Sequence, residues 1–259
     1  MKSPTSKKHR KSTSIAKSVC ESPSVFAIAV DGTEVSIRRA AEIILNKKPD
    51  DSGAIHGVRK LRHGLTGKRV TFFRSAINEC SLPTESDLER QHCLHLERVF
   101  TVDRYRTQPF TVVHGEIHYT PDILVEWSSG KRSVLEVKPH GQFSDPKIKQ
   151  KLNIFGPLIQ NSGFDFQTVS EKDVHPESLN ELLRHIYDGR RRLRVPAQLK
   201  ALVDATFAER DRLTLDTFAM KLVEAGWPMS WAKKLIFFRL VNANLEQGLR
   251  PLSLLWKGA

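Results

Sequence analysis

Apolar and polar residues alternate along this chain with two periods, one near 3.6 and one near 2, and the changes between them divide it into helices and strands. VSIRRAAEIILNK places apolar side chains at Ile37, Ala40, Ala41, Ile44 and Leu45. That spacing predicts a helix with one buried face. SVFAIAV before it reads as a short strand, and the Ser/Lys-rich residues ahead of that as a disordered tail. KKPDDSGAIHG is turn-rich and marks a boundary near Gly57; KRVTFFRSAI then reads as a strand that runs into the loop SLPTES. From Glu85 to Phe100 the helical period returns, with Glu89, Cys93, Leu96 and Phe100 on one stripe. A glutamate therefore shares the face that packs on the core.

Three runs rich in β-branched and aromatic residues follow: VDRYRTQPFTVVHG, YTPDILVEW and KRSVLEVKP. Each is bounded by Gly, Pro or Ser, so each reads as a strand, the last two forming a hairpin across SSG. SDPKIKQKLNIFGPLIQNSG predicts a helix with Ser144 or Asp145 as N-cap and Pro146 in its first turn, and FDFQTVSE reads as one more strand. A helix joining two strands implies a parallel crossover, hence an α/β fold. Beyond His175 the pattern is helical throughout, ending in SWAKKLIFFRLVNANL. Two of these helices meet at Gly226, Trp227 and Pro228, with Ser230 capping the second, in a helix-turn-helix or winged-helix-like arrangement. A helical docking domain without DNA contact fits the same pattern. The expected division is residues 1–56 as basic tail and extension, 57–175 as the α/β domain and 176–259 as the C-terminal helical domain.

Composition narrows the partners. The chain has 259 residues, 39% hydrophobic and 27% charged, and no apolar run near the roughly 20 residues a membrane helix needs. The N-terminus lacks the apolar segment of a secretory signal. Cys20, Cys80 and Cys93 are far apart and odd in number, which suggests neither a disulfide framework nor a zinc site and fits a cytoplasmic protein. The formal charge of +12 favours a polyanionic partner, nucleic acid first, through counterion release.

The chemistry concentrates in YTPDILVEWSSGKRSVLEVKPH. Strand alternation puts Asp122, Leu124 and Glu126 on one face, and Val134, Glu136 and Lys138 on one face of the next strand. Pairing around SSG brings Asp122 beside Glu136 and Lys138, and Glu89 can close the group from the helix. Buried like charges repel unless a cation joins them. Hard oxygen donors suit Mg²⁺, with Mn²⁺ as a substitute, and an Mg²⁺ shell is completed by water and phosphate oxygens. A phosphodiester is the natural substrate, with Lys138 holding water or neutralising transition-state charge. The alternative is a solvated Glu–Lys cross-strand pair with Asp122 in a turn after Pro121.

These residues resemble the PD-(D/E)xK nucleases, and their spelling is closest to the TnsA-type endonuclease subunits of heteromeric transposases. SDLERQHCLHLERVFTVDRYRTQPF resembles that family's helix and following strand, PDILVEWSSGKRSVLEVKP its hairpin, and LIFFRLVNANLEQGLRPLS the close of its second, helical domain. The resemblance runs from about Lys68 to Val174. It implies a restriction-endonuclease-like mixed sheet flanked by helices. Glu89, Asp122 and Glu136 become metal-binding acids, Lys138 the catalytic lysine and the Val137 carbonyl a further ligand. Gln108 matches a family position with no assigned chemistry, and Glu85 competes with Glu89. Implied partners are double-stranded DNA at the transposon ends, a DDE-type transposase and an AAA+ regulator.

Two other readings stand beside it: a stand-alone restriction, repair or junction-resolving nuclease, and a non-catalytic DNA-binding adaptor, against which the intact acid and lysine set speaks. His92, His95, His114, His118 and His140 show no metal-ligand spacing. Arg190, Arg191, Arg192 and Arg194, with Lys7, Lys8, Arg10 and Lys11 of the tail, read as solvated charge or as phosphate contacts without sequence preference. Trp227 and Trp231 read as core anchors.

Overall fold

The computed structural model describes residues 29–30, 33–58, 70–174, 177–187, 195–245 and 248–258. The tail lysines and arginine, Cys20 and the Arg190–Arg194 run lie outside them. β1 (Ala29–Val30) leads to α1 (Glu34–Leu45), capped by the Thr33 side chain, which accepts from the Ser36 amide. The helix buries the five apolar residues that its period predicts. β2 (Thr71–Ser75) and β3 (Cys80–Thr84) form an antiparallel pair, and α2 (Asp87–Glu97) follows. α2 is shorter than the predicted stripe. Glu89, Cys93 and Leu96 are buried on it, but Phe100 lies beyond its end and is 46% exposed.

The three predicted strands are five: β4 (Val102–Thr107), β5 (Thr111–His114), β6 (Ile117–Tyr119), β7 (Ile123–Trp127) and β8 (Arg132–Val137). The first run breaks at Gln108, whose φ of 47° turns the chain out of the extended region just before Pro109. β5 and β6 leave the main sheet and pair with each other and with β1. α3 (Pro146–Asn161) begins with Asp145 as cap, its carboxylate accepting from the Lys147 and Ile148 amides, and crosses to β9 (Asp165–Val169). The principal sheet has the order β4-β7-β8-β9, antiparallel at the first two junctions and parallel at the last.

Its two faces are packed separately. Leu124 and Val134 meet Ile37, Ile44, Phe155 and Ile159 of α1 and α3 on one side. Ile123, Val125, Leu135 and Val137 meet Cys93, Leu94 and Leu96 of α2 on the other. The α1 segment thus shares a core with the sheet.

α4 (Glu177–Ile186) and α5 (Ala197–Glu209) follow, then β10 (Leu213–Thr214), α6 (Leu215–Glu224), α7 (Trp231–Phe237), β11 (Val241–Ala243) and β12 (Leu254–Lys257). The C-terminal part is therefore not helical throughout. The predicted helix over SWAKKLIFFRLVNANL ends at Phe237, because Arg239 takes a φ of 59° and Val241–Ala243 pairs with β12. Its strands run in the order β10-β12-β11. Trp227 and Trp231, both half-buried, stand edge to face with each other and pack against its core as anchors. This unit docks on the first through Phe237, over which the Arg98 guanidinium lies while its Nε donates to the Phe237 carbonyl at 2.8 Å. Among the described residues no helix is long and apolar enough to cross a membrane.

Gly57 permits a close backbone approach behind the sheet. A Cβ there would stand 2.1 Å from the Gln108 carbonyl oxygen and 2.4 Å from that of Thr107. Gly57→Ala is expected to force the two segments apart, at a cost of about 1–3 kcal/mol, read as a fall in the melting temperature and in the midpoint of urea unfolding.

Candidate active site

β7 and β8 pair with Ile123 opposite Leu135 and Leu124 opposite Val134. Continuing that register by one residue sets Asp122 against Glu136. Asp122 Oδ2 accepts from the Val137 amide at 2.7 Å and from Lys138 Nζ at 2.8 Å. Lys138 Nζ also lies 2.9 Å from Glu136 Oε1 and donates to the Val137 carbonyl at 3.1 Å. One ammonium is thus held by three oxygens from two strand ends. The Tyr119 hydroxyl donates to the remaining Glu136 oxygen, Oε2, at 2.7 Å. From behind, the Gln108 amide donates to the Asp122 carbonyl at 2.8 Å, so the left-handed turn that ends β4 also fixes the backbone of Asp122.

Glu89 takes a second position. Its amide donates to Ser86 Oγ at 3.1 Å, the Ser86 hydroxyl donates back to Oε1 at 2.9 Å, and the Glu85 amide donates to Oε2 at 2.9 Å. Ser86-Asp87-Leu88-Glu89 is a variant of the helix capping box, a signal that the residues themselves carry and that the apolar stripe alone does not reveal. Both carboxylate oxygens are occupied by the start of α2. Among the described residues no three Asp, Glu, His or Cys side chains come close enough to hold one ion. The expected cage of three acids is therefore not assembled, and the Lys138 ammonium stands between Asp122 and Glu136.

The electrostatics still join all four groups. Burial raises Asp122 above the ordinary carboxylate range against the pull of Lys138, and burial followed by the Asp122 charge raises Glu136. Burial pulls Lys138 down, but Asp122 and Glu136 outweigh it and raise its pKa. Donor chemistry suits a hard cation, since two carboxylates and a backbone carbonyl already converge on a single positive charge. Among the described residues no histidine joins this group. His92 and His95 stack 5.8 Å apart on α2.

Burial, then the charge of Asp122, raises Glu89 from 4.5 to about 7. Between those values the folded chain keeps a proton that the unfolded chain has released, so this group's contribution to stability is lost as pH rises through the window. His92 acts oppositely, because burial lowers it from 6.5 to about 4 and its contribution is lost as pH falls. A difference measurement separates them. The melting temperature of Glu89→Gln minus that of the wild type is expected to grow more positive as pH is raised from 4.5 to 7; a flat difference would mean that Glu89 titrates as an ordinary carboxylate.

Residues 89–171, from Glu89 of α2 through β9 to Glu171, match the family described as TnsA-like endonuclease N terminal. No curated protein matches the chain. The matched segment contains Asp122, Glu136, Val137 and Lys138. Over residues 89–171, this chain carries a TnsA-like endonuclease N-terminal domain.

Proposed function

We propose that the chain is a divalent-metal-dependent DNA endonuclease that works as a cytoplasmic subunit of a transposase, cutting the 5′ ends of a mobile element. The observation that carries this reading is the Lys138 ammonium seated among Asp122 Oδ2, Glu136 Oε1 and the Val137 carbonyl, within a segment of the endonuclease family. Asp122, Glu136 and the Val137 carbonyl would hold Mg²⁺ or Mn²⁺, and Glu89 would join them as a further acid only by releasing the Ser86 hydroxyl and the Glu85 amide. The ion would supply charge stabilisation at the scissile phosphate and a more acidic bound water.

The remaining steps belong to the chain. With a cation held by those three oxygens, the Lys138 ammonium would be available to neutralise charge on the phosphate or to hold the attacking water. Asp122 stays in place, because the Val137 amide and the Gln108 amide fix its side chain and backbone independently of Lys138. Hydrolysis breaks the phosphorus–oxygen bond to the 3′ oxygen and leaves a 3′ hydroxyl and a 5′ phosphate.

Two surfaces fit DNA. The first eight residues of α3, Pro146 to Asn153, include no buried residue and carry Lys147, Lys149 and Lys151, all exposed, in the helix that follows Lys138 in the chain. The order α5, β10, α6, α7, β11, β12 with a β10-β12-β11 sheet suits a winged helix, whose α7 carries Lys233 and Lys234. That second unit would contact DNA or an AAA+ regulator, with a DDE-type transposase cutting the opposite strand.

Asp122→Ala and Lys138→Ala are each expected to abolish Mg²⁺-dependent nicking of transposon-end duplex by the purified chain together with its transposase and regulator, while the melting curve remains cooperative. Cleavage retained by either variant removes the site; cleavage of specific DNA by the chain alone favours a stand-alone nuclease. Replacing Lys147, Lys149 and Lys151 by Glu is expected to weaken duplex binding and to reduce the slope of log K against log salt by about 0.9 for each phosphate that is no longer neutralised. An unchanged slope would take α3 out of the DNA interface.

A further inference from the structure

Glu136 is held at both oxygens, and the two partners differ in kind. Lys138, at Oε1, has a side chain 27% exposed on a flexible four-carbon stem, so it can leave. Tyr119, at Oε2, is buried and cannot. Its ring stacks on Phe155 with centroids 5.1 Å apart and meets Phe166 edge-on at 6.4 Å. Phe155 is itself fully buried on α3, and Tyr119 is pinned in β6 by pairing with Val112 of β5. The Tyr119 hydroxyl thus belongs to a packed wall built from β5, β6, α3 and β9. Burial and the adjoining Glu136 charge keep it protonated, a donor to Oε2.

A carboxylate oxygen has two lone pairs, so the Tyr119 hydrogen bond does not block Oε2, but it fixes the direction in which the carboxylate faces and leaves Oε1 as the oxygen that Lys138 can release. Bidentate chelation needs both oxygens turned equally toward the ion, and rotating Glu136 to do so would break the bond to Tyr119. Mg²⁺ takes one oxygen per carboxylate in a near-octahedral shell at about 2.0–2.1 Å, whereas Ca²⁺ accepts bidentate carboxylates and six to eight donors at about 2.3–2.6 Å. A hydroxyl that holds Oε2 therefore acts on the choice of metal as well as on the orientation of the side chain.

Building on the reading that Asp122 and Glu136 hold a divalent ion, we infer that Tyr119 is a metal-selectivity residue. Its hydrogen bond to Oε2 confines Glu136 to one-oxygen coordination through Oε1 and favours Mg²⁺ over Ca²⁺. The polar contact of Tyr119 is with Glu136 Oε2. Tyr119 is a positioning residue, and it acts through Glu136.

The test is isothermal titration of the full-length chain, wild type and Tyr119→Phe, with MgCl₂ and separately with CaCl₂ at one alkaline pH. Phenylalanine keeps the ring stack and removes only the donor. Mg²⁺ affinity is expected to fall on the order of tenfold while Ca²⁺ affinity holds or rises, so that the ratio of the two shifts toward Ca²⁺. Equal ratios in wild type and variant, or equal weakening for both ions, overturn the selectivity role and leave the metal site standing. Failure of the wild type to bind either ion overturns the metal site and the inference together. Should Tyr119→Phe not fold, Phe155→Leu keeps the hydroxyl but loosens its seat; it is expected to shift the ratio in the same direction by less, and an unshifted ratio there overturns the role as well.

Discussion

The candidate site depends on the register of the β7–β8 hairpin. Side chains alternate faces along a strand, so a slip of one residue would turn Asp122 away from Glu136 and Lys138 and exchange the two apolar faces of the sheet. Several interactions hold the register. The Trp127 amide donates to the Lys131 carbonyl at 2.9 Å, Gly130 supplies the turn with a φ of 78°, and Trp127 Nε1 donates to Ser133 Oγ at 2.7 Å. Glu126 is bound by both Arg104 and Arg132 across the neighbouring strands. Packing adds the largest penalty against a slip, because both faces of the hairpin are buried, one under α1 and α3 and the other under α2.

That frame allows charges to be buried at its end. Three carboxylates with one ammonium form an uneven group; burial raises the pKa of each acid, and the Asp122 charge adds to it at Glu89 and Glu136. The chain limits the cost by giving every charge hydrogen bonds: two on Asp122 Oδ2, one on each Glu136 oxygen and one on each Glu89 oxygen. The Lys138 side chain is more exposed than those of Asp122 and Glu136. Glu89 is held at both oxygens by the capping box that starts α2, and the Asp122 charge still raises its pKa.

The C-terminal unit is tied to the same frame. Tyr187, just past α4, stacks between Phe73 of β2 and Phe237 of α7, and its hydroxyl accepts from the Ala76 amide at 2.8 Å. Arg98 at the end of α2 closes the junction through the Phe237 carbonyl. The helix that carries Glu89 therefore packs on the sheet through Cys93, Leu94 and Leu96 and meets the C-terminal unit at its C-terminal end.

Local order was legible in the residues themselves. The 3.6 spacing of Ile37 to Leu45 set the buried face of α1, Asp145 and Pro146 set the start of α3, and the alternation of Asp122 to Trp127 against Val134 to Lys138 set which groups share a face. These follow from periods and caps that act within a few residues. Tertiary structure decided the rest. The left-handed Gln108 and Arg239 divide runs that read as continuous, because positive φ at a non-glycine residue is imposed by distant packing and leaves no pattern. The Glu89 oxygens turned to the helix start instead of an ion, and Tyr119 reached Glu136 from another sheet, a hydrogen bond across 17 residues that no spacing rule encodes. Sequence determined which charges lie on the same face; only the packing of α2, α3 and β6 around the hairpin decided which of them touch.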